Sequence, residues 1–362
     1  MSFSFLYFLN NQTNIEMKTT WLIFVILPLF LYAGPTKKEL YNIGQKSVTY
    51  VDESRNRPLL TEIWYPTLDR LTKQEPVTTR KDLFKTIETI DNATIPDKKF
   101  PLLLISHGTG GNRFSLTWFI EKMVREGYIV VSLDHYGNST FKKIPREFVK
   151  WWERAIDVQF VLSNILKDDI FGAKIDSSKI GGVGFSLGGY TNIALAGGYV
   201  DRSVKKNQDD DRKMPPEFPK TDEIIDFEKD SLIVTSYNRY KDHVKEDRMK
   251  AFFVMAPAIG FGFHTKDQTK EITAPVFIVA GKGDTNTPIE NNALNYHNLI
   301  EGSEIHLYSE HVNHYVFLNE PTEFGKEVAP AITIDHPAVD RREIHEKTLE
   351  LALRFFEKSI QN

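Results

Sequence analysis

The sequence predicts an α/β fold, with a mostly parallel central sheet of about eight strands and helices on both faces. Three observations predict it. Phe100–Ser106, FPLLLIS, is an unbroken apolar run of the type a strand needs when helices cover both its faces. Apolar runs of strand length then alternate with segments whose apolar residues recur at helical spacing, which calls for parallel strands joined by right-handed crossovers. Finally, Gly184-Phe185-Ser186-Leu187-Gly188 stands between the short apolar stretch Ile180–Phe185 and the helical pattern Leu187–Tyr199. That is the setting in which a strand turns sharply into a helix and leaves a serine standing clear of the sheet.

Length and composition agree with a single large core. The chain has 362 residues, 41% of them hydrophobic, and no flexible Gly/Ser linker or internal repeat divides it. One domain over 34–362 is therefore expected, carrying an insertion at about 200–247. With 45 basic and 49 acidic residues interspersed, a net charge of -4 offers no basic stripe, so no nucleic-acid partner is expected. The chain has no cysteine, which removes disulfides, thiolate ligands and a cysteine nucleophile; its histidines form no H-E-x-x-H pair, so no metal is expected.

Taken in order, Trp21–Tyr32 is apolar, preceded by Lys18 and followed by Ala33-Gly34, the charge, core and small-residue order of a secretory signal. Export with cleavage near Ala33 is expected, so that residues 1–33 are removed and no stable membrane insertion remains. The alternative is an anchor retained through 21–32, and the start is Met1 or Met17. Lys46–Val51 and Leu59–Tyr65 alternate apolar with polar residues around Asp52–Asn56, as a hairpin does. Lys73–Lys99 is charged and reads as a surface excursion.

After Phe100–Ser106 comes a helix with Leu116, Phe119, Ile120 and Val124 on one side, the strand Tyr128–Leu133 and a helix over Phe148–Leu166. Beyond the elbow helix, Val200–Asp247 is an excursion, charged and proline-bearing over Asp201–Lys220 and helical around Asp222–Tyr240. Loops that leave the carboxyl ends of strands overhang the ligand site of an open sheet, so this insertion is a candidate cap. The strands Ala251–Ala256, Pro275–Ala280 and Glu304–Tyr308 follow, with a helix Asn291–Ile300 before the last. The chain closes on a helix Arg341–Lys358 with a core stripe of Ile344, Thr348, Leu351 and Phe355.

A G-x-S-x-G pattern arises by chance in roughly one chain in ten of this length, so the chemistry rests on what surrounds it. A serine hydroxyl needs a base within hydrogen-bond reach, and the base needs a carboxylate to orient it. Asp284 follows the strand ending at Ala280, in Gly281-Lys282-Gly283-Asp284-Thr285-Asn286-Thr287-Pro288, and is the candidate acid; its other reading is an Asx turn or helix cap ahead of Pro288. For the base, His314 leads into the apolar Tyr315–Leu318, which can pack down and direct the ring. His311 is the alternative, and His306, inside a strand, reads as a packed residue. A tetrahedral intermediate needs two backbone N–H donors. Leu187, after the serine, supplies one, and Thr109 in His107-Gly108-Thr109-Gly110-Gly111 supplies the other, with His107 bracing that loop.

These segments together carry a resemblance. Leu104–Gly111, Gly184–Gly189, Gly283-Asp284 and Asn313-His314-Tyr315, with Arg57–Pro66 and Asp134–Asn138, resemble α/β-hydrolases of the bacterial predicted dienelactone hydrolase type, close to platelet-activating-factor acetylhydrolase. The resemblance spans most of the chain after Tyr41. It implies the α/β-hydrolase fold and a secreted or periplasmic serine esterase acting on a small-molecule ester without metal or cofactor, the serine standing where dienelactone hydrolases use cysteine. Ester cleavage through an acyl-serine intermediate is the function expected. An acyltransferase or amidase could use the same triad, and a non-catalytic binding protein could keep the same fold.

Overall fold

The computed structural model describes residues 40–71, 81–200, 217–221, 225, 226, 228–241 and 244–361. The leader expected over 1–33 and most of Asp201–Lys220 lie outside them. The chain opens with a hairpin, β1 (Asn42–Asp52) and β2 (Arg57–Thr67), longer at both ends than the alternation suggests. The two-residue β3 (Ile90–Asp91) follows, then β4 (Phe100–Ser106), α1 (Thr117–Arg125), β5 (Ile129–Leu133), α2 (Pro145–Val149), α3 (Trp152–Ile165), β6 (Ile175–Phe185) and α4 (Leu187–Ala196). Next come α5 (Ser231–Tyr240) in the insertion, β7 (Ala251–Met255), β8 (Val276–Gly281), α6 (Ala293–Leu299) and β9 (Glu304–Tyr308). The short α7 (Glu323–Val328) and α8 (Pro330–Thr333) precede the final α9 (Arg341–Phe356).

The sheet has nine strands in the order β3-β1-β2-β5-β4-β6-β7-β8-β9. From β5 to β9 every neighbour is parallel, while β2 pairs antiparallel with both β1 and β5. The strand beyond the eight expected is β3, which joins the edge beside β1 from within the segment read as a surface excursion. Two residues are too few to show any period.

Strand residues alternate between two cores because successive side chains leave opposite faces. Leu102 and Leu104 pack with α3, α4 and α6, whereas Leu103 and Ile105 pack with α1 and α9; Phe252 and Val254 separate from Phe253 and Met255 in the same way. The helix expected over Phe148–Leu166 is broken at Lys150 (φ −93°, ψ 57°), whose ammonium reaches Glu147 Oε1 at 2.6 Å. On α9 the buried stripe is Arg341, His345, Thr348, Ala352, Phe355 and Phe356, rotated from the expected one, which leaves Ile344 and Leu351 half-buried.

Candidate active site

Every expected site residue stands past the carboxyl end of a parallel strand, so the topology gathers them on one edge of the sheet. Ser186 stands between β6 and α4 with φ 55° and ψ −119°, a conformation that costs a non-glycine residue energy and needs support from its surroundings. Its N–H donates to the Met255 carbonyl at 2.9 Å, and its carbonyl accepts from Ala258 N–H at 3.0 Å, which fastens the turn to the end of β7. The glycines at this turn are required sterically. A Cβ on Gly184 would overlap the Gly188 carbonyl, and one on Gly188 would overlap the Ser106 carbonyl.

Ser186, His314 and Asp284 form one hydrogen-bonded chain. The Ser186 Oγ lies 3.0 Å from His314 Nε2, and His314 Nδ1 lies 2.7 Å from Asp284 Oδ2. With the carboxylate accepting from Nδ1–H, Nε2 is left to accept from the serine. The three are 7%, 5% and 3% exposed, which removes the competing water that would weaken these bonds. His314 opens a short helical turn, His314–Phe317, in which Asn313 Oδ1 accepts from Tyr315 N–H and the buried Val316 and Phe317 anchor the segment. The Phe185 ring tilts over the imidazole at 4.8 Å between centroids. His311 is exposed and stacks on His336 instead, at 4.2 Å, and reaches neither Ser186 nor Asp284. His306 is half-buried on β9, edge-on to Tyr308.

Asp284 both closes a turn and faces His314. Its Oδ1 accepts from Asn286 N–H and Thr287 N–H, an Asx-type turn, while Oδ2 faces the histidine and also accepts from Thr287 Oγ1 at 2.7 Å. Burial raises the carboxyl pKa, but the hydrogen bond and charge of His314 together with the Thr287 donors outweigh it, and the net position lies below the ordinary value. The carboxylate is therefore ionised at neutral pH. Thr287 was not singled out by the sequence, although a hydroxyl three residues after an aspartate in a turn is the signal for it.

The His107–Gly111 loop lies against the serine; a Cβ on Gly108 would stand 3.3 Å from Ser186 Cβ. Gly111 N–H donates to the Gly108 carbonyl at 3.2 Å, closing a turn with Gly110 at φ 62°, the conformation glycine supplies there. The loop after β5 holds this turn. Asn138 Oδ1 accepts from Gly110 N–H, Thr140 Oγ1 donates to the Gly110 carbonyl, and Thr140 N–H donates to the Gly111 carbonyl. That leaves Thr109 at the corner whose N–H such a turn does not use. Leu187 is the first residue of α4, where the N–H has no partner within the helix. His107 is fully buried, its Nδ1 donating to the Gly108 carbonyl at 2.7 Å, in keeping with the bracing role expected.

The described part of the insertion reaches this site. Glu217 Oε1 accepts from Tyr315 Oη at 2.6 Å, and the Phe218 ring meets Phe148 edge-on at 5.6 Å. Tyr315 Oη in turn accepts from Asn286 Nδ2 at 2.8 Å.

A mostly parallel sheet with a strained serine at the β6–α4 turn defines the α/β-hydrolase class of fold. The sequence matches no family model and no curated relative, so the likeness to predicted dienelactone hydrolases and platelet-activating-factor acetylhydrolase has no sequence-family support. Among solved structures, ferulic acid esterase from Streptomyces cinnamoneus is similar, with a TM-score of 0.59 and 16% identity over 91% of this chain and 92% of that one. At that identity the likeness is one of fold.

Proposed function

We propose that the protein is a serine esterase that cleaves carboxylic esters through an acyl-serine intermediate. The observation that carries the reading is the hydrogen-bonded chain from Ser186 through His314 to Asp284, with Ser186 held at positive φ. In this reading His314 Nε2 takes the Ser186 proton as Oγ attacks the ester carbonyl. The resulting alkoxide is met by the N–H groups of Leu187 and Thr109, donors of a kind worth about 3 kcal/mol each to such a transition state. Collapse of the intermediate expels the alcohol, which receives the proton from His314. Water, deprotonated by the same nitrogen, then attacks the acyl-serine carbonyl and returns the enzyme and a carboxylic acid. Asp284 stays ionised throughout, steadying the imidazolium.

The test is a panel of p-nitrophenyl esters of increasing acyl length on purified protein, with labelling of Ser186 by a fluorophosphonate. Because the structural neighbour is a ferulic acid esterase, methyl ferulate belongs in the panel. Turnover unaffected by EDTA and a single adduct on Ser186 are expected. A folded protein that neither turns over an ester nor takes the label would be a binding protein on this fold.

A further inference from the structure

A second Ser–His–Asp chain lies buried behind the first. Ser106 Oγ is 2.9 Å from His135 Nε2, and His135 Nδ1 is 3.2 Å from Asp157 Oδ2. The three residues are 1%, 0% and 0% exposed, so no substrate can reach them. Asp157 is further held by Arg57, whose Nε and Nη2 each donate to it at 2.9 Å. Ser106 Oγ donates to His135 Nε2, and its lone pairs accept from Arg154 Nη2 at 3.3 Å. The chain therefore ends not on a reacting group but on a guanidinium.

Arg154, on α3 and 1% exposed, spans the two elements that carry the proposed oxyanion donors. Its Nη2 donates to the His107 carbonyl, at the root of the loop bearing Thr109. Its Nε donates to Thr191 Oγ1 at 3.3 Å, and Thr191 Oγ1 donates to the Leu187 carbonyl at 3.0 Å. Two adjacent donors of the rigid fork thus grip the β4–α1 loop and, through Thr191, the first turn of α4, while Nη1 is buried with no hydrogen-bond partner among the described residues. We propose that Arg154 is a positioning residue that sets the spacing between the N–H groups of Thr109 and Leu187, an inference that rests on the esterase reading above.

Two donors serve one oxyanion only if both stand roughly 2.7–3.1 Å from the same point, and here they belong to separate elements that apolar packing alone would hold less directionally. A planar guanidinium fixes distance and angle together, which neither lysine nor an apolar side chain does. Burying that charge is costly, and an unbranched apolar side chain such as methionine would avoid the penalty. What methionine lacks is the set of directional bonds to His107, Ser106 and Thr191. The Ser106–His135–Asp157 chain fixes the fork's own orientation.

The test compares wild type with Arg154→Met and Ser106→Ala for p-nitrophenyl acetate turnover and for inhibition by a trifluoromethyl ketone, which forms the oxyanion adduct reversibly. A wild type without turnover would end the esterase reading itself, independently of Arg154. Given an active wild type, Arg154→Met should lower kcat about 10- to 100-fold with KM within about twofold, and weaken the ketone by a similar factor. Ser106→Ala, which loosens the fork without touching either donor, should lower kcat about 3- to 10-fold with the same split. An unchanged kcat in a folded variant, or a kcat loss with unchanged ketone affinity, overturns the inference. Should Arg154→Met fail to fold, Ser106→Ala decides by the same criteria.

Discussion

The hydroxyl of Thr287 donates to Asp284 Oδ2 at 2.7 Å and lies 3.2 Å from Nδ1 of His314, so one side chain touches both the carboxylate and the imidazole. Thr287→Val keeps the shape and the backbone donor but removes the hydroxyl. The carboxylate then has one oxygen held by backbone and the other by the histidine alone. Turnover should fall about 3- to 10-fold with KM little changed, because the group lost orients catalytic atoms and meets no substrate. Steady-state kinetics on a p-nitrophenyl ester checks it, and a KM change larger than the kcat change would count against this role.

Ser186→Ala should abolish nearly all turnover, a loss on the order of a millionfold where nucleophile and base act as a unit. Removing the Oγ leaves the backbone of the turn with its bonds to Met255 and Ala258, so the unfolding midpoint should stay close to wild type. Residual activity at the wild-type level in freshly purified mutant would end the assignment.

His314→Ala should be as damaging, while His311→Ala should retain turnover within about twofold, since surface side chains away from a site have small effects. The two residues are three apart in sequence yet differ in every physical respect: one is buried between Asp284 and Ser186, the other exposed on His336. Parallel kinetics on the two alanine variants separates them, and the reverse ranking would move the base to His311.

Stability should fall as the medium is acidified below neutral. Burial keeps three histidines neutral: it pushes His135 down to about 3 and His345 to about 4, and lowers His107 well below its ordinary value. In the unfolded chain each titrates near pH ~6.5, so between the folded and unfolded values the unfolded state binds more protons. Their contribution is fully present above about 6.5 and is lost as pH falls toward 4, each histidine adding up to ~1.4 kcal/mol per pH unit. Urea unfolding at pH 7.5, 6 and 5 should show a loss on the order of 6 kcal/mol across the range. A curve flat over that range would contradict the neutral burial. His345→Gln, which can still donate to the Val316 carbonyl, should reduce the slope by about a third.

Much of this was legible in the chain itself. Strands such as Phe100–Ser106 announce themselves because burial on both faces demands an unbroken apolar run, and the Gly184–Gly188 turn because only glycine fits where two backbones cross. Short or charged pieces were not legible: β3 has too few residues for a period, and the break at Lys150 sits within a pattern that looks continuous. On α3, Arg154 and Asp157 are buried, although nothing in their spacing separates them from polar residues that face solvent.

What the sequence by itself determined is the set of parts: a serine at a strand-to-helix turn, an aspartate and two histidines after late strands, and a glycine loop after an early one. Those are local properties, written in residue type and spacing. Only the tertiary structure decided which histidine meets the serine, that Thr287 touches both Asp284 and His314, and that the buried Arg154 joins the loop after β4 to the first turn of α4. Each of those relations joins residues distant along the chain, up to 128 apart for Ser186 and His314. Their distances follow from strand order and packing, which no single stretch of sequence contains.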